Sequence, residues 1–328
     1  MKVGKHMKEI VYFCVILVLV LVLLYSGFQI LESTVLFSDS GEVSTYQSRT
    51  ITRNGVDYYP RQDITTVMVL GIDQGGPVQA SGGYMNTGAA DLVMLLVFDE
   101  ARQTCDVLQL NRDTMVTMPV LGLGGRKAGT YFGQLALSHT YGSGLADSCE
   151  NTREAVSDFL YGITIDHYVA MNMDAIAVLN DAVGGVTVEV TEDFSQVDPT
   201  IGKGQVTLMG QQALSYVRTR KDLGDQLNIS RMERHRKYVE AFLEAFRVSK
   251  EGSPEFFGET YEAITPYIVT DCTVNAITGI IDRYGDYTVN QPITPEGENV
   301  MGREYYEFHV DAQKLDALIL ELFYAPKK

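Results

Sequence analysis

The stretch NTREAVSDFLYGITIDHYVAMNMDAIAVLNDAVGGVTVEV, Asn151 to Val190, decides the fold class. Ala155, Phe159 and Leu160 recur at helical spacing, with Asn151 or Thr152 available as an N-cap. DHYVAMNM is a short apolar run of strand type. DAIAVLNDAV returns to helical spacing, and Gly184 and Gly185 supply the residues that close a helix. VTVEV reads as another strand. Helix, strand, helix and strand in so short a span predict a sheet covered by helices.

The flanking sequence extends the pattern. ITTVMVLGID, Ile64 to Asp73, is a buried strand ending near Gly71, and a glycine-rich loop follows from Gln74 to Ala90. DLVMLLVFDE and CDVLQLNRD are two further apolar runs, and EARQT between them reads as a hairpin turn. Downstream, MGQQALSYV reads as a helix, EYYEFHV as a strand and AQKLDALILELFY as a final amphipathic helix. The expectation is an α/β domain over residues 63–328, with a central mostly antiparallel or mixed sheet.

The chain has 328 residues, enough for one large domain or two small ones. A hydrophobic content of 45% describes a globular protein, and a net charge of −16 argues against a nucleic-acid partner. Residues 10–31, IVYFCVILVLVLVLLYSGFQIL, carry no charge and are long enough as a helix to cross about 30 Å of hydrocarbon. Lys2, Lys5 and Lys8 precede this run, and Glu32, Asp39 and Glu42 follow it, which orients the N-terminus to the cytoplasm. A cleaved signal peptide is the competing reading, but no convincing small-residue cleavage site follows, which favours an anchor. The expected organisation is a cytoplasmic tail (1–9), a transmembrane helix (10–31), a stalk (32–62) with a short strand near Ile51 to Tyr59, and the extracellular domain. Cys14 lies in the span. Cys105, Cys149 and Cys272 allow one disulfide or remain as buried free thiols.

Charged residues gather where the predicted strands end. Asp73 closes one strand, Asp91 opens the next, and Arg112 with Asp113 closes the third. If the Asp91 strand runs antiparallel to its neighbours, all four side chains meet at one edge, the usual place for a ligand in an α/β sheet. Asp at a strand end is also a common turn-former. A second concentration is SYVRTRKDLGDQLNISRMERHRK, Ser215 to Lys237. Ser230 and Glu233 have capping-box spacing, which starts a helix with Arg231 and Arg234 on one side and His235 adjacent. Arg218 and Arg220 share a face if the chain there is extended. Guanidinium groups bind phosphate through paired hydrogen bonds, so the segment frames a phosphate or pyrophosphate. The alternative is a solvated basic face paired with Asp222, Asp225 and Glu233.

These strings resemble the LytR-CpsA-Psr family, which attaches glycopolymers to bacterial cell walls. The resemblance rests on VMVLGID, ADLVMLLVFD, LQLNRDTMV, the stretch Asn151–Val190 and LMGQQALSYVRTRKDLGDQLNISRMERHRK, in family order from about Thr66 to Phe246. It implies a membrane-anchored phosphotransferase of a Gram-positive-type envelope, with a long apolar pocket for a polyprenyl tail. The glycopolymer would pass from a polyprenyl pyrophosphate carrier to a peptidoglycan sugar hydroxyl, with Mg²⁺ as cofactor. Asp73 and Asp91 match the family's metal carboxylates, and Arg112, Arg218, Arg220 and Arg231 match the arginines that grip the pyrophosphate. Arg234 joins the phosphate-binding set, and Arg112, Arg220, Asp225 and His235 form the expected catalytic group. Three positions depart from the family pattern: Ala89 stands where Arg is usual, Asn228 where Asp is usual, and His235 where Gln is usual. An Asn side chain cannot take a proton, so a general-base role passes to Asp222, Asp225 or His235. A polyprenyl-phosphate binder or sensor without turnover is the alternative function.

Overall fold

A computed structural model describes residues 50–122, 125–219, 234, 237–238, 241–242, 244–246, 248–249, 256–303 and 305–327. The expected membrane span at 10–31 lies outside the described residues. Among those described, no helix is long and apolar enough to cross a membrane.

The first elements are β1 (Ile51–Arg53), β2 (Val56–Pro60), β3 (Ile64–Ile72), β4 (Ala90–Asp99) and β5 (Thr104–Leu110). A hairpin of β6 (Met115–Leu121) and β7 (Lys127–Gln134), a 3-10 turn at Leu135–Thr140 and α1 (Ala146–Phe159) follow. Then come β8 (His167–Asn172), α2 (Asp174–Ala182), β9 (Val186–Val190), β10 (Gly204–Leu208) and α3 (Gln211–Arg218). The chain ends with α4 (Phe256–Ile264), β11 (Ile268–Thr270), α5 (Val274–Tyr284), β12 (Thr288–Val289), β13 (Gly297–Met301), β14 (Tyr306–Val310), α6 (Ala312–Phe323) and β15 (Tyr324–Pro326).

The central sheet has six strands in the order β11-β8-β3-β4-β5-β12. Strands β3, β4 and β5 run antiparallel in turn, and β11 is antiparallel to β8. The β3–β8 and β5–β12 pairs are parallel, so the sheet is mixed, as the sequence pattern predicts. Burial on both faces explains why its central strands are apolar throughout. Met68, Leu70 and Ile72 of β3 and Val93, Leu95 and Val97 of β4 face one side, against Ala155 and Val156 of α1 and Leu315 and Ile319 of α6. Their neighbours Val67, Val69, Met94, Leu96 and Phe98 face the other side, where Tyr284 of α5 stacks on Phe98 at 4.7 Å between ring centroids. Full burial of each such Leu or Val contributes about 1.5–3 kcal/mol. A second core joins α2, β9, β10 and α3 through Leu179, Val186, Leu208 and Tyr216, with Tyr238, Phe242 and Phe246 packed into it.

Three expectations change. Helix α1 begins at Ala146, so Asn151 and Thr152 sit inside it instead of capping it. Asn151 Nδ2 donates to the carbonyls of Ser138 (2.7 Å) and Pro119 (3.1 Å), and the Thr152 hydroxyl donates to the Ser148 carbonyl (3.0 Å). The short strand expected near Ile51 to Tyr59 is two strands, β1 and β2, which form a hairpin, and β2 pairs with β15. The β6–β7 hairpin stands where no strand is predicted; β7 is exposed over most of its length and lacks an apolar alternation. The question over the cysteines is resolved for Cys105, Cys149 and Cys272, which are all free and buried.

Candidate functional site

Because β3, β4 and β5 are successive antiparallel strands, the end of β3, the start of β4 and the end of β5 share one edge of the sheet. The β3–β4 ladder pairs Gly71 with Leu92 but Ile72 with Ala90, which leaves Asp91 as the extra residue of a bulge. A bulge re-aims a side chain out of the regular alternation. Gly71 permits the close approach there: a Cβ on it would lie 3.0 Å from Leu92 Cβ. One step on, the Asp73 N–H donates to the Ala89 carbonyl at 3.0 Å, fixing Asp73 beside the bulge.

Arg112 reaches back to this edge from the end of β5. Its Nη1 donates to Asp91 Oδ1, and its Nε lies 3.5 Å from Asp113 Oδ1. Its backbone is held as well, since its carbonyl accepts from the Ala136 N–H at 2.9 Å. Asp113 is fixed by the Gln134 amide, which donates to Oδ1 at 2.9 Å, and by the Phe308 N–H, which donates to its carbonyl at 2.9 Å. From the other core, Arg218 at the end of α3 places Nη2 3.1 Å from Asp73 Oδ1. Its side chain is 60% exposed and that of Asp73 41%. Such an open ion pair contributes about 0–1 kcal/mol, so stability does not account for it. Two carboxylate–guanidinium pairs, Arg112–Asp91 and Arg218–Asp73, therefore stand at the edge where the antiparallel strands bring Asp73, Asp91, Arg112 and Asp113.

The loop from Asp73 to Ala89 is anchored mostly by groups absent from the sequence reading. Asn86 Nδ2 donates to the His139 carbonyl (2.8 Å) and to Ser148 Oγ (3.1 Å), while its Oδ1 accepts from the Gly88 N–H (2.7 Å). His139 is buried, with Nδ1 2.7 Å from the Gly88 carbonyl, so that nitrogen carries the proton. Burial lowers the His139 pKa below its ordinary value, outweighing the Gly88 bond and the charge of Asp147. Asp174 closes the other side by accepting from the Gly76 N–H at 2.6 Å. No spacing in the sequence links Asn86 to His139, because the pairing depends on the turn preceding α1.

Arg234, expected among the phosphate ligands, is enclosed by protein groups. Its side chain is 3% exposed, and Nη1 donates to Glu192 at 3.0 Å. Its Nε donates to the Tyr216 carbonyl at 3.2 Å and its Nη2 to the Thr219 carbonyl. The guanidinium also lies over the Phe194 ring, 5.8 Å from the centroid. A cation so enclosed holds the end of α3 in place and has its donors directed inward. Arg218 is the last helical residue of α3, and the chain becomes extended only at Thr219. Arg220, Asp225, Arg231 and His235 lie outside the described residues, as do Asp222 and Asn228.

The fold has parallels among known proteins. The polyisoprenyl-teichoic acid–peptidoglycan teichoic acid transferase TagU of Bacillus subtilis strain 168 is 24% identical over 265 residues, which cover 80% of this chain and 78% of that protein. The solved structure of B. subtilis TagV superposes with a TM-score of 0.54 at 22% identity, covering 80% of this chain and 96% of that one. A structure of TagT bound to LI-WTA gives a TM-score of 0.52 at 22% identity, covering 80% and 90%. The LytR_cpsA_psr family model matches residues 34–323, nearly the whole chain outside its apolar N-terminus, and the protein belongs to that family.

Proposed function

We propose that the protein transfers a glycopolymer from a polyprenyl pyrophosphate carrier to a peptidoglycan sugar hydroxyl, from the outer face of a membrane that residues 10–31 span. The observation that carries this reading is the convergence of Asp73, Asp91, Arg112 and Arg218 at one sheet edge, in a chain of this family. The relative TagU is named as a transferase of teichoic acid to peptidoglycan, which supports the same substrate class here.

In the proposed reaction the acceptor hydroxyl oxygen forms a bond to the phosphorus nearer the glycopolymer. The bridging P–O bond breaks, polyprenyl phosphate leaves, and the hydroxyl proton is released. Such a transition state spreads charge over phosphoryl oxygens, and positioned cations stabilise it more than any proton transfer does. Arg112 is suited to that role, being tethered by Asp91 and Asp113 yet one-third exposed. Arg218, which is more open, exchanges Asp73 for a phosphate oxygen when the donor arrives. Asp73 and Asp91 supply hard oxygen donors. Mg²⁺ uses one or two carboxylates together with phosphate oxygens and water, so this donor set fits it. When bound, Mg²⁺ neutralises pyrophosphate charge.

Full-length protein in detergent, given labelled lipid-linked donor and peptidoglycan, is expected to transfer label with Mg²⁺ and to lose transfer with chelator. Absence of label on peptidoglycan in the presence of Mg²⁺ would defeat the proposal. Asn228 favours a second reading, a polyprenyl-phosphate binder without turnover, because an amide replaces the usual carboxylate. Asn228→Asp separates the two. A large gain in rate marks the natural protein as a binder, whereas an unchanged rate supports catalysis without a base at that position.

A further inference from the structure

The opposite end of the same sheet carries a cluster that the transferase reading does not use. His167 is the first residue of β8, and its ladder partner in β3 is Val67, whereas the site end of that ladder pairs Ile72 with Asn172. Five residues of strand separate the two ends, on the order of 15 Å. Beside His167, the chain leaving β11 presents Asp271 and Cys272. One ligand atom from each of the three lies within 4.8 Å of the others, the one such grouping of three His, Cys, Asp or Glu side chains among the described residues.

We propose that His167, Asp271 and Cys272 form a binding site for a zinc-class divalent cation, separate from the Asp73–Asp91 edge. The ligand set is imidazole, carboxylate and thiolate, which suits Zn²⁺ and is wrong for Mg²⁺. His167 Nδ1 stands 3.6 Å from Asp271 Oδ1, close to the separation of about 3.4 Å between two ligands bonded at 2.0–2.1 Å in a tetrahedron. That nitrogen is buried without a hydrogen-bond partner, an arrangement a metal bond would satisfy.

The surroundings orient the ligands independently of any ion. Asp271 Oδ1 accepts from the Tyr168 N–H at 2.9 Å, and Oδ2 accepts from Arg153 Nη1 at 3.1 Å. The Thr270 hydroxyl donates to the Tyr168 carbonyl at 2.6 Å and accepts from the Cys272 N–H at 3.0 Å, which fixes the turn. Such outer contacts set ligand direction in metal sites. Asp271 and part of His167 face solvent, leaving a path of entry and room for water as a fourth ligand. With thiolate, Asp271 and Glu150 negative and Arg153 positive, a dication brings the cluster to neutrality. The ion would join the edge of the sheet to the start of α5, two residues beyond Cys272.

The test uses full-length protein in detergent, reduced and metal-free, titrated with Co²⁺ and then Zn²⁺. Wild type is expected to develop a thiolate-to-Co²⁺ charge-transfer band that Zn²⁺ abolishes, with a rise in thermal midpoint. Cys272→Ser is expected to lose the band, and His167→Gln to weaken it, while metal-free melting shows that both fold. Any Co²⁺ at Asp73 and Asp91 gives no thiolate band, so the readout stays specific to this cluster. No band in wild type, or an equal band in Cys272→Ser, would overturn the proposal and leave an ordinary His–Asp ion pair beside a buried thiol.

Discussion

Individual side chains at the sheet edge divide by what holds them. Arg112 is tethered to Asp91 and Asp113, whereas Arg218 touches Asp73 alone among its described polar contacts and is mostly exposed. Arg112→Ala is expected to lower transfer about 10²–10³-fold, the usual effect of removing one positioned charge-stabilising donor. Arg218→Ala is expected to lower transfer while changing stability by less than about 1 kcal/mol. Denaturant melts beside transfer assays check both, and an active Arg112→Ala would remove Arg112 from the proposed mechanism. Arg234 behaves in the opposite way. Its enclosed guanidinium balances the half-buried Glu192 and two carbonyls, so Arg234→Ala removes the cation beside Glu192, leaves those carbonyls without a donor and is expected to cost about 1–3 kcal/mol. If Arg234→Ala melts as wild type does but loses donor binding, Arg234 belongs with the phosphate ligands after all.

At the level of elements, the loop between β3 and β4 depends on one neutral imidazole. His139 has a folded pKa below its ordinary value, so between that value and about 6.5 the unfolded chain binds a proton that the native chain does not. Its contribution to stability is therefore complete above about pH 6.5 and is lost as pH falls through the folded pKa. Urea midpoints measured from pH 7.5 to 5 are expected to fall more steeply for wild type than for His139→Gln. Parallel curves would mean that His139 is not the group titrating. The strands flanking this loop are legible in the sequence because apolar runs such as VMVL and VMLLV have few alternatives to a buried sheet, and Asp73, Asp91 and Arg112 sit at their ends. The bulge at Asp91 is not legible, since register is a property of two strands and Leu92 reads the same in either frame. Helical spacing places the start of α1 six or seven residues late because its first turn, ADSCE, buries Ser148 and Cys149 without an apolar stripe. Arg234 misleads for a related reason: charge and spacing are visible in a sequence, while enclosure by Glu192 and Phe194 comes from another part of the chain.

Across the whole molecule, the two ends of the domain close on each other at the end of the sheet away from the arginine–carboxylate edge. Strands β1, β2 and β15 form one small sheet, in which Tyr324 pairs with Pro60 and Pro326 with Tyr58. Arg53 grips Asp316 of α6 through Nε and Nη2 at 2.9 and 2.7 Å, and Ile51 and Tyr58 pack on the main core. Between this small sheet and β3, Arg61 donates to Asp63 at 2.8 Å and to the buried Asp99 at 2.7 Å. Burial alone would raise the Asp99 pKa, but the Arg61 bond and the Arg102 N–H bring it below the usual carboxylate value. The end of the expected stalk thus carries the counter-ion of a buried acid. A domain cut at Asp63 lacks Arg61 and the hairpin and leaves Asp99 only the more distant, exposed Arg102 at 3.5 Å, so it is expected to be less stable than one beginning at Thr50 by about 3 kcal/mol. The loss should grow as pH rises from below the Asp99 pKa, because a buried Asp99 without the Arg61 bond resists ionisation. Chemical denaturation of the two proteins at pH 4 and 7 measures this. Equal midpoints at both values would mean that residues 50–62 are a tether after all, and that the contacts of Arg61 add nothing to the fold.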